Sequence, residues 1–231
     1  MNDWLSIFLI TLIGFGMAAL LYWLLIETEG VFLGQRAVTW LYNRYARRYD
    51  EIKRFVPQLE IQHLSQPLMQ EIAPNRSPKV LDVASGTGRM PLALLRLAGF
   101  SGHVIGIDLS LKMLAIAVAK TDSPRVSFIC APAERLPFPD QTFDVVTCLE
   151  ALEFMENSRA ALCEMARVLK PDGVLLATNR LTGKWMFGRH WSAGQMQEVL
   201  ETAGFIQIQF ERWQVDYDKV WAKKAPSGEQ A

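Results

Sequence analysis

The sequence predicts an α/β fold: a mostly parallel sheet of seven strands with an antiparallel hairpin at its edge, preceded by one membrane-spanning helix. Three observations predict it. A stretch of 23 residues, Trp4 to Ile26, carries no charge. Beyond Lys79, short apolar runs alternate with runs of helical spacing, as in a parallel sheet covered on both faces. Close to the end, two strand-like runs follow each other with only a short break, which suits an antiparallel pair.

The first element is the uncharged stretch. As a helix rising 1.5 Å per residue it spans roughly 34 Å, against a hydrocarbon core of about 30 Å. Thirteen of its residues are Leu, Ile or Phe, which together favour insertion by roughly 4 to 8 kcal/mol. Trp4, Tyr22 and Trp23 sit near its ends, where interfacial aromatics belong. A cleaved signal peptide starts basic and has a shorter apolar core. This chain starts Met-Asn-Asp and runs straight into Glu27-Thr28-Glu29. Residues 1–27 are therefore read as a retained anchor, with a buried or interfacial helix as the other reading. No Lys or Arg precedes the span, and Arg36, Arg44, Arg47, Arg48, Lys53 and Arg54 follow it. The positive-inside rule places the N-terminus outside and the rest in the cytoplasm.

Residues 28–78 read as a connector and lid helix. Apolar or aromatic residues recur at 38, 41, 45, 49, 52, 56 and 59, at helical spacing, and Pro57 is expected to kink or break the helix. Its arginines lie on other faces. They are either solvated or set against anionic lipid, at about 1 kcal/mol per cation. The stretch "IAPNRSPK" reads as a linker.

Residues 79–224 read as the main domain. Its strand-like runs are "KVLDVA", "HVIGID", "VSFICA", "FDVVTCL" and "GVLLATN". Its helix-like runs are "MPLALLRLAG", "SLKMLAIAVAK", "SRAALCEMARVLK" and "SAGQMQEVLETAG". Pro91 suits the first turn of a helix, and Gly173, closing "KPDG", suits a turn into the next strand. The Pro-rich residues 131–142 read as loop. "FIQIQFERW" and "DYDKVWAKK" form the edge pair, and 225–231 reads as a disordered tail.

With 50% hydrophobic and 21% charged residues, the chain is expected to fold around a core. Its zero net charge argues against a nucleic-acid binder, which needs a basic face. Cys130, Cys148 and Cys163 lie far apart without metal-ligand spacing. They read as small buried residues of a reducing compartment.

In a sheet of this kind ligands bind beyond the carboxyl ends of the strands. The segment "VLDVASGTGRM" ends the first strand there, and its glycines let backbone approach a ligand. Asp108, 20 residues after Gly88 and at the end of the second strand, can accept both hydroxyls of a ribose. A dinucleotide site wants Gly-x-Gly-x-x-Gly, and Pro91 stands at the third position. Asp82 at the leading edge repels a pyrophosphate and suits the cationic ammonium and sulfonium of S-adenosylmethionine. That cofactor is therefore favoured over NAD. The plainer readings are a loop-capping Asp82, a helix N-cap at Asp108, a solvated loop acid at Glu134, and tyrosines that only pack.

At these residues the chain resembles the class I S-adenosylmethionine-dependent methyltransferases, most closely the branch with the ubiquinone and menaquinone C-methyltransferases. The likeness runs from about Tyr42 to Lys223. It is carried by "YNRYARRYDEI", "LDVASGTG", "GIDLSLKML", "APAERLPFPDQTFDVV" and "EMARVLKPDGVLL". The resemblance implies a Rossmann-like sheet and these roles. Asp82 fixes the methionine ammonium, directly or through water. Ala84, Gly86 and Gly88 bring backbone to the cofactor. Asp108 holds the ribose, with Leu109 and Met113 near the adenine. Ala133 offers its N–H to the adenine. Tyr49, with Tyr45 as a second candidate, closes over the cofactor. Two positions depart from the family. Ala84 stands where Gly is usual. Pro132 stands where an Asp accepts from the adenine amino group, a loss of about 1 to 3 kcal/mol that Glu134 could offset.

The reaction implied is in-line methyl transfer from a sulfonium, with the protein supplying alignment. A carbon or oxygen nucleophile also needs a base. The candidates are Glu150, Glu153 and, in "NRLTGKWMFGRHW", His190. Trp185, Met186, Phe187 and Trp191 line an apolar substrate pocket or belong to the core. The anchor suits a lipid-soluble small-molecule substrate, first a quinone-type ring. A phospholipid amine N-methyltransferase and a non-catalytic, cofactor-binding membrane scaffold are the alternatives.

Overall fold

The computed structural model describes residues 3–181 and 190–226. Trp185, Met186 and Phe187 of the expected substrate segment, and most of the expected tail, lie outside the described residues.

The N-terminal helix α1 (Asp3–Tyr22) continues through a π turn (Trp23–Glu27). Asp3–Glu27 is long and apolar enough to cross a membrane, with a mean hydropathy of 2.3, and its most apolar window has no buried residue. The connector then folds back as α2 (Gln35–Tyr45), α3 (Tyr49–Lys53), α4 (Pro57–Glu60) and α5 (Gln66–Glu71). The periodicity suggests one long helix broken at Pro57; the break before Pro57 is present, and the chain is interrupted a second time that the spacing does not foretell. A 3-10 turn follows Tyr45, and Arg54 takes a left-handed conformation at φ +52°. Val56 is extended, as a residue before proline must be. Pro57 opens α4, where its missing N–H is not needed.

The sheet runs from Lys79 to Lys224. Its strands are β1 (Lys79–Val83), β2 (His103–Asp108), β3 (Val126–Cys130), β4 (Phe143–Cys148), β5 (Leu169–Arg180), β6 (Phe205–Arg212) and β7 (Tyr217–Lys224). They lie in the order β3-β2-β1-β4-β5-β7-β6. The first five are parallel, and β7 runs antiparallel to both β5 and β6. The expected edge pair is present, with the later strand on the inside. One expectation is corrected at "KPDG", which is a bulge within β5 rather than a turn before it. The register steps from Phe143 opposite Leu169 to Val145 opposite Val174. Four residues of β5 thus face Asp144 alone, whose carboxylate accepts from Lys170 Nζ at 2.7 Å and from the Lys79 backbone N–H at 2.7 Å. Gly173 is needed there, because a Cβ would stand 2.8 Å from the Lys170 carbonyl oxygen.

Between the strands run α6 (Arg89–Arg96), α7 (Leu111–Lys120), α8 (Ser158–Val168) and α9 (Ala193–Thr202). Their starts follow the sequence. Pro91 falls in the first turn of α6. Ser110 caps α7, Asn157 caps α8, and Ser192 forms a capping box with Gln195 on α9. Strand alternation splits the core into two apolar clusters. Leu81 and Val83 pack with α8 and α9, while Val80 packs with α6, Leu64 and Leu68. Of the cysteines only Cys148 is buried. Cys130 ends the edge strand β3, and Cys163 lies off the buried face of α8, so both are exposed, against expectation.

Candidate functional site

A cleft of about 740 Å³, counted with its open mouth, lies between the lid segment and the carboxyl ends of the strands. That is a common size for a small-molecule site. Val38, Thr39, Tyr42 and Tyr49 form its lid wall; Ala84, Gly86, Asp108 and Leu109 form its floor. Ala131, Ala133, Glu134, Glu150 and Phe154 close the far side.

The floor is organised by Asp108. One carboxylate oxygen accepts from the Gly86 N–H at 2.9 Å and the other from the Ser110 N–H at 2.8 Å. Burial pushes its pKa up, and the backbone donors of Ser110 and Gly86 pull against that. Asp108 is therefore not the cap of α7, a role taken by Ser110; it ties the glycine loop to the tip of β2. Gly86 sits at φ +53°, and a Cβ there would meet nothing nearer than the Tyr49 ring at 4.0 Å, so this face is open to a ligand. Ala84 is also left-handed, at φ +56°, which costs an alanine roughly 1 to 2 kcal/mol.

Seven of the ten residues expected to touch a cofactor line this cleft: Tyr49, Ala84, Gly86, Asp108, Leu109, Ala133 and Glu134. Asp82, Gly88 and Met113 stand behind it. Gly88 serves the packing of α6, since a Cβ there would lie 3.2 Å from that of Ala117. Met113 is fully buried. Asp82 is 3% exposed, and Thr147 Oγ1 donates to its carboxylate at 2.6 Å. Burial pushes its pKa up to about 7; the Thr147 bond opposes the shift and the Asp108 charge adds to it. Glu134 is not a solvated acid. It accepts from the Glu156 N–H at 3.0 Å and from the Asn157 N–H at 3.4 Å, at the start of α8.

The lid differs from expectation in which tyrosine joins Tyr49. Tyr45 is 38% exposed and points away from the cleft, whereas Tyr42 lines it. The Tyr42 hydroxyl donates to Glu29 at 2.8 Å, and its ring stands 5.8 Å from Phe154 and 5.9 Å from Tyr49. Burial raises the pKa of both Tyr42 and Tyr49, which keeps them protonated. Two polar residues overlooked in the sequence hold the lid down. Asp50 accepts from Thr87 Oγ1 of the glycine loop at 2.5 Å and from Lys120 of α7 at 2.6 Å. Asn43 accepts from Ser110 Oγ at 2.8 Å. The spacing gives no signal for them: neither falls on the apolar positions of the lid, and Asp50 keeps 40% of its side chain exposed.

The three base candidates separate. Glu150 lines the cleft, but Arg89 holds it at 2.6 Å and Lys53 at 3.2 Å. Burial alone would raise its pKa; the two cations outweigh burial and hold the carboxyl below its ordinary value. It is an ion-pair partner and a weak proton acceptor. Glu153 and His190 lie instead in a second cavity, on the other side of the 3-10 turn Leu152–Phe154. Burial raises the Glu153 pKa, opposed by the hydroxyl of Tyr217, which donates to it.

Residues 81–177 match the profile of a family described as a methyltransferase domain. The chain is 34% identical over 140 residues to a demethylmenaquinone methyltransferase of Bacillus licheniformis, covering 60% of each chain. It thus spans less than two thirds of that relative's length. In structure it is similar to the [4+2]-cyclase SpnF, with a TM-score of 0.60 and 26% identity over 71% of this chain and 80% of the other. It also shares its fold with phosphoethanolamine N-methyltransferase 2 of Haemonchus contortus, solved with S-adenosyl-L-methionine. That match has a TM-score of 0.57 at 18% identity, over 70% of this chain and 52% of the other.

Proposed function

From a chain that carries a methyltransferase domain on the Rossmann-like fold of the S-adenosylmethionine-dependent methyltransferases, we propose methyl transfer to a lipid-soluble small molecule, first a quinone-type ring. The observation that supports it most is the cleft itself, whose floor is Asp108 and the Gly86 loop and whose roof is Tyr42 and Tyr49. The residues present fit the cofactor. A carboxylate at the β2 tip suits a ribose diol, and exposed backbone beside Gly86 suits the methionine end. Leu109, Ala131 and Ala133 offer apolar surface to an adenine. Asp82, buried just behind the loop, suits a cationic ammonium. Bound there, S-adenosylmethionine supplies an electrophilic methyl group on sulfur. The tyrosine lid excludes water, and the floor fixes orientation.

The membrane half of the reading rests on α1 and on the lid. Arg36, Trp40 and Arg44 recur at intervals of four on α2, away from the cleft, and Trp40 is 60% exposed. No ion pair is seen for Arg36, Arg44, Arg47 or Arg48 among the described residues. We place this face against anionic lipid, with the domain in the cytoplasm. The sequence relative is named for a demethylmenaquinone substrate, which favours a ring acceptor. The fold alone sets no reaction, since a [4+2]-cyclase shares it.

The test is to incubate the full chain with lipid extracts and methyl-labelled S-adenosylmethionine. Label is expected in the quinone fraction. Label in polar headgroups would replace the ring acceptor with a phospholipid amine. Cofactor binding without transfer to any lipid would leave the scaffold reading in its place.

A further inference from the structure

We propose that Glu29, at the joint between the apolar N-terminal helix and the lid, is a positioning residue that holds Tyr42 over the bound cofactor. This rests on the S-adenosylmethionine reading of the cleft above. The Tyr42 hydroxyl donates to Glu29 Oε2 at 2.8 Å. Glu29 forms no ion pair among the described residues, and Tyr42 is the one side chain among them that donates to it. Its charge also reaches Tyr49, the other aromatic of the roof. After burial, that charge is the largest influence keeping the Tyr42 phenol in its protonated, donating form.

The chain around Glu29 fixes it in place. The Thr28 N–H donates to the Trp23 carbonyl at 3.0 Å, and the Gly30 N–H donates to the Leu24 carbonyl at 3.0 Å. Thr28 is fully buried, and its Oγ1 donates to the same Leu24 carbonyl at 2.9 Å. Trp23 stacks on Phe32 with ring centroids 5.3 Å apart, which closes the joint into a loop. Val31 is buried, and a Cβ on Gly30 would stand 2.7 Å from Leu41 Cδ1, so the joint is pressed against α2. Between these ties Glu29 sits at φ +49°. A left-handed glutamate is uncommon. Such a conformation persists where the surroundings impose it, and it concentrates at working sites.

Tyr42 in turn spans the cleft. Its ring stands 5.8 Å from Phe154 on the far side and 5.9 Å from Tyr49 on the lid. With its hydroxyl unanchored, only these ring contacts hold it. A roof that is in place for a fraction of the time lowers the apparent cofactor affinity by that fraction. The end of the apolar helix and the roof of the cleft are thus joined through one hydrogen bond.

The probes are S-adenosylmethionine and its demethylated product, titrated by calorimetry into the full chain in detergent. Glu29→Ala is expected to raise the Kd of both by about three- to tenfold, the worth of one hydrogen bond. Tyr42→Phe should raise it by a similar factor. The double variant should lose no more than either single one, because each removes the same bond. Glu29→Gln keeps an oxygen that accepts from the hydroxyl, so it should bind nearly as the wild type does. A purely structural Glu29 would lower the melting temperature of Glu29→Ala and leave the Kd of the folded chain unchanged; that result would overturn the proposal. Losses that add in the double variant would also overturn it, as would Glu29→Gln binding as weakly as Glu29→Ala. If Glu29→Ala melts too low to titrate, Tyr42→Phe decides, and wild-type affinity in that variant would sink the assignment while leaving the cofactor reading standing. A wild-type chain that binds neither probe would bring down the cofactor reading and this inference with it.

Discussion

Asp82 shows how burial changes what a residue type means. Its position at the tip of β1 was legible, because an acid directly before a glycine loop is plain in the sequence; its burial against Thr147 was not. With its pKa at about 7 against an ordinary 3.8, the folded state holds a proton that the unfolded state gives up. Stability from this group is therefore full below about pH 4 and lost as the pH rises toward 7. A cationic ammonium nearby favours the carboxylate form. Binding of S-adenosylmethionine below pH 7 should therefore release a proton, and affinity should rise with pH and level off near 7. Calorimetry in buffers of different ionisation heat reads the released proton directly. In Asp82→Asn both effects should vanish, and its melting temperature relative to wild type should climb between pH 5 and 8. A proton release that survives in Asp82→Asn would place the titration elsewhere. Asp108 was read correctly as a strand-tip acid, whereas Tyr42 was missed. Helical spacing selects a stripe, and the stripe through Val38 contains both Tyr42 and Tyr45 within its error.

Elements meet at Arg89, which the glycine-loop motif hides. Its guanidinium pairs with Glu60 at 2.5 Å and with Glu150 at 2.6 Å. It also lies over the rings of Phe55, at 4.3 Å, and Trp213, at 4.9 Å. One side chain on α6 thus joins the end of the lid, the tip of β4 and the turn between β6 and β7. All three ion-pair partners are nearly buried, with side-chain exposures of 11%, 12% and 6%, so removing the cation strands two carboxylates. Arg89→Ala should cost about 3 to 5 kcal/mol, partly offset by Lys53, which remains on Glu150. Denaturant unfolding measures it, and a loss under 1 kcal/mol would show the cluster to be solvent-screened. Such a cluster draws on four distant stretches of chain, and periodicity carries no trace of it. The lid breaks twice: Pro57 announces the break after α3, where Arg54 is left-handed and Val56 extended, while the 3-10 turn after Tyr45 leaves the apolar spacing unbroken and so goes unannounced. At the sheet edge, two alternating runs predicted a pair. Which strand lies inside follows from burial, since Val220 and Ala222 of β7 enter the core while β6 leaves most of its residues exposed.

For the whole molecule, the question is how an apolar acceptor meets a water-facing cofactor cleft. Strand–helix alternation made the domain legible in outline, and the uncharged first stretch made a helix long and apolar enough to cross a membrane legible by length. Their relation is the added content of the structure. Helix α2 starts eight residues after the Trp23–Glu27 turn, walls the cleft with Val38, Thr39 and Tyr42, and turns Arg36, Trp40 and Arg44 outward. If that outward face rests on lipid, the lid lies between bilayer and cofactor, and an acceptor need not cross water to reach the site. The full chain should then float with vesicles of zwitterionic or anionic lipid alike, held by the span. Replacing Gly14 in mid-span by Arg should weaken this by about 2.5 to 3.5 kcal/mol. The lid adds a second, electrostatic contribution. Turnover of a lipid-soluble acceptor should be faster in anionic vesicles, and raised salt should erase that advantage, because exposed charges are screened within about 8 Å at physiological ionic strength. Changing Arg36, Arg44, Arg47 and Arg48 to Gln should abolish the lipid dependence while leaving flotation intact, since each cation near an anionic surface contributes about 1 kcal/mol. Equal turnover in both kinds of vesicle at low salt would detach the lid from the membrane and leave the span as a tether only.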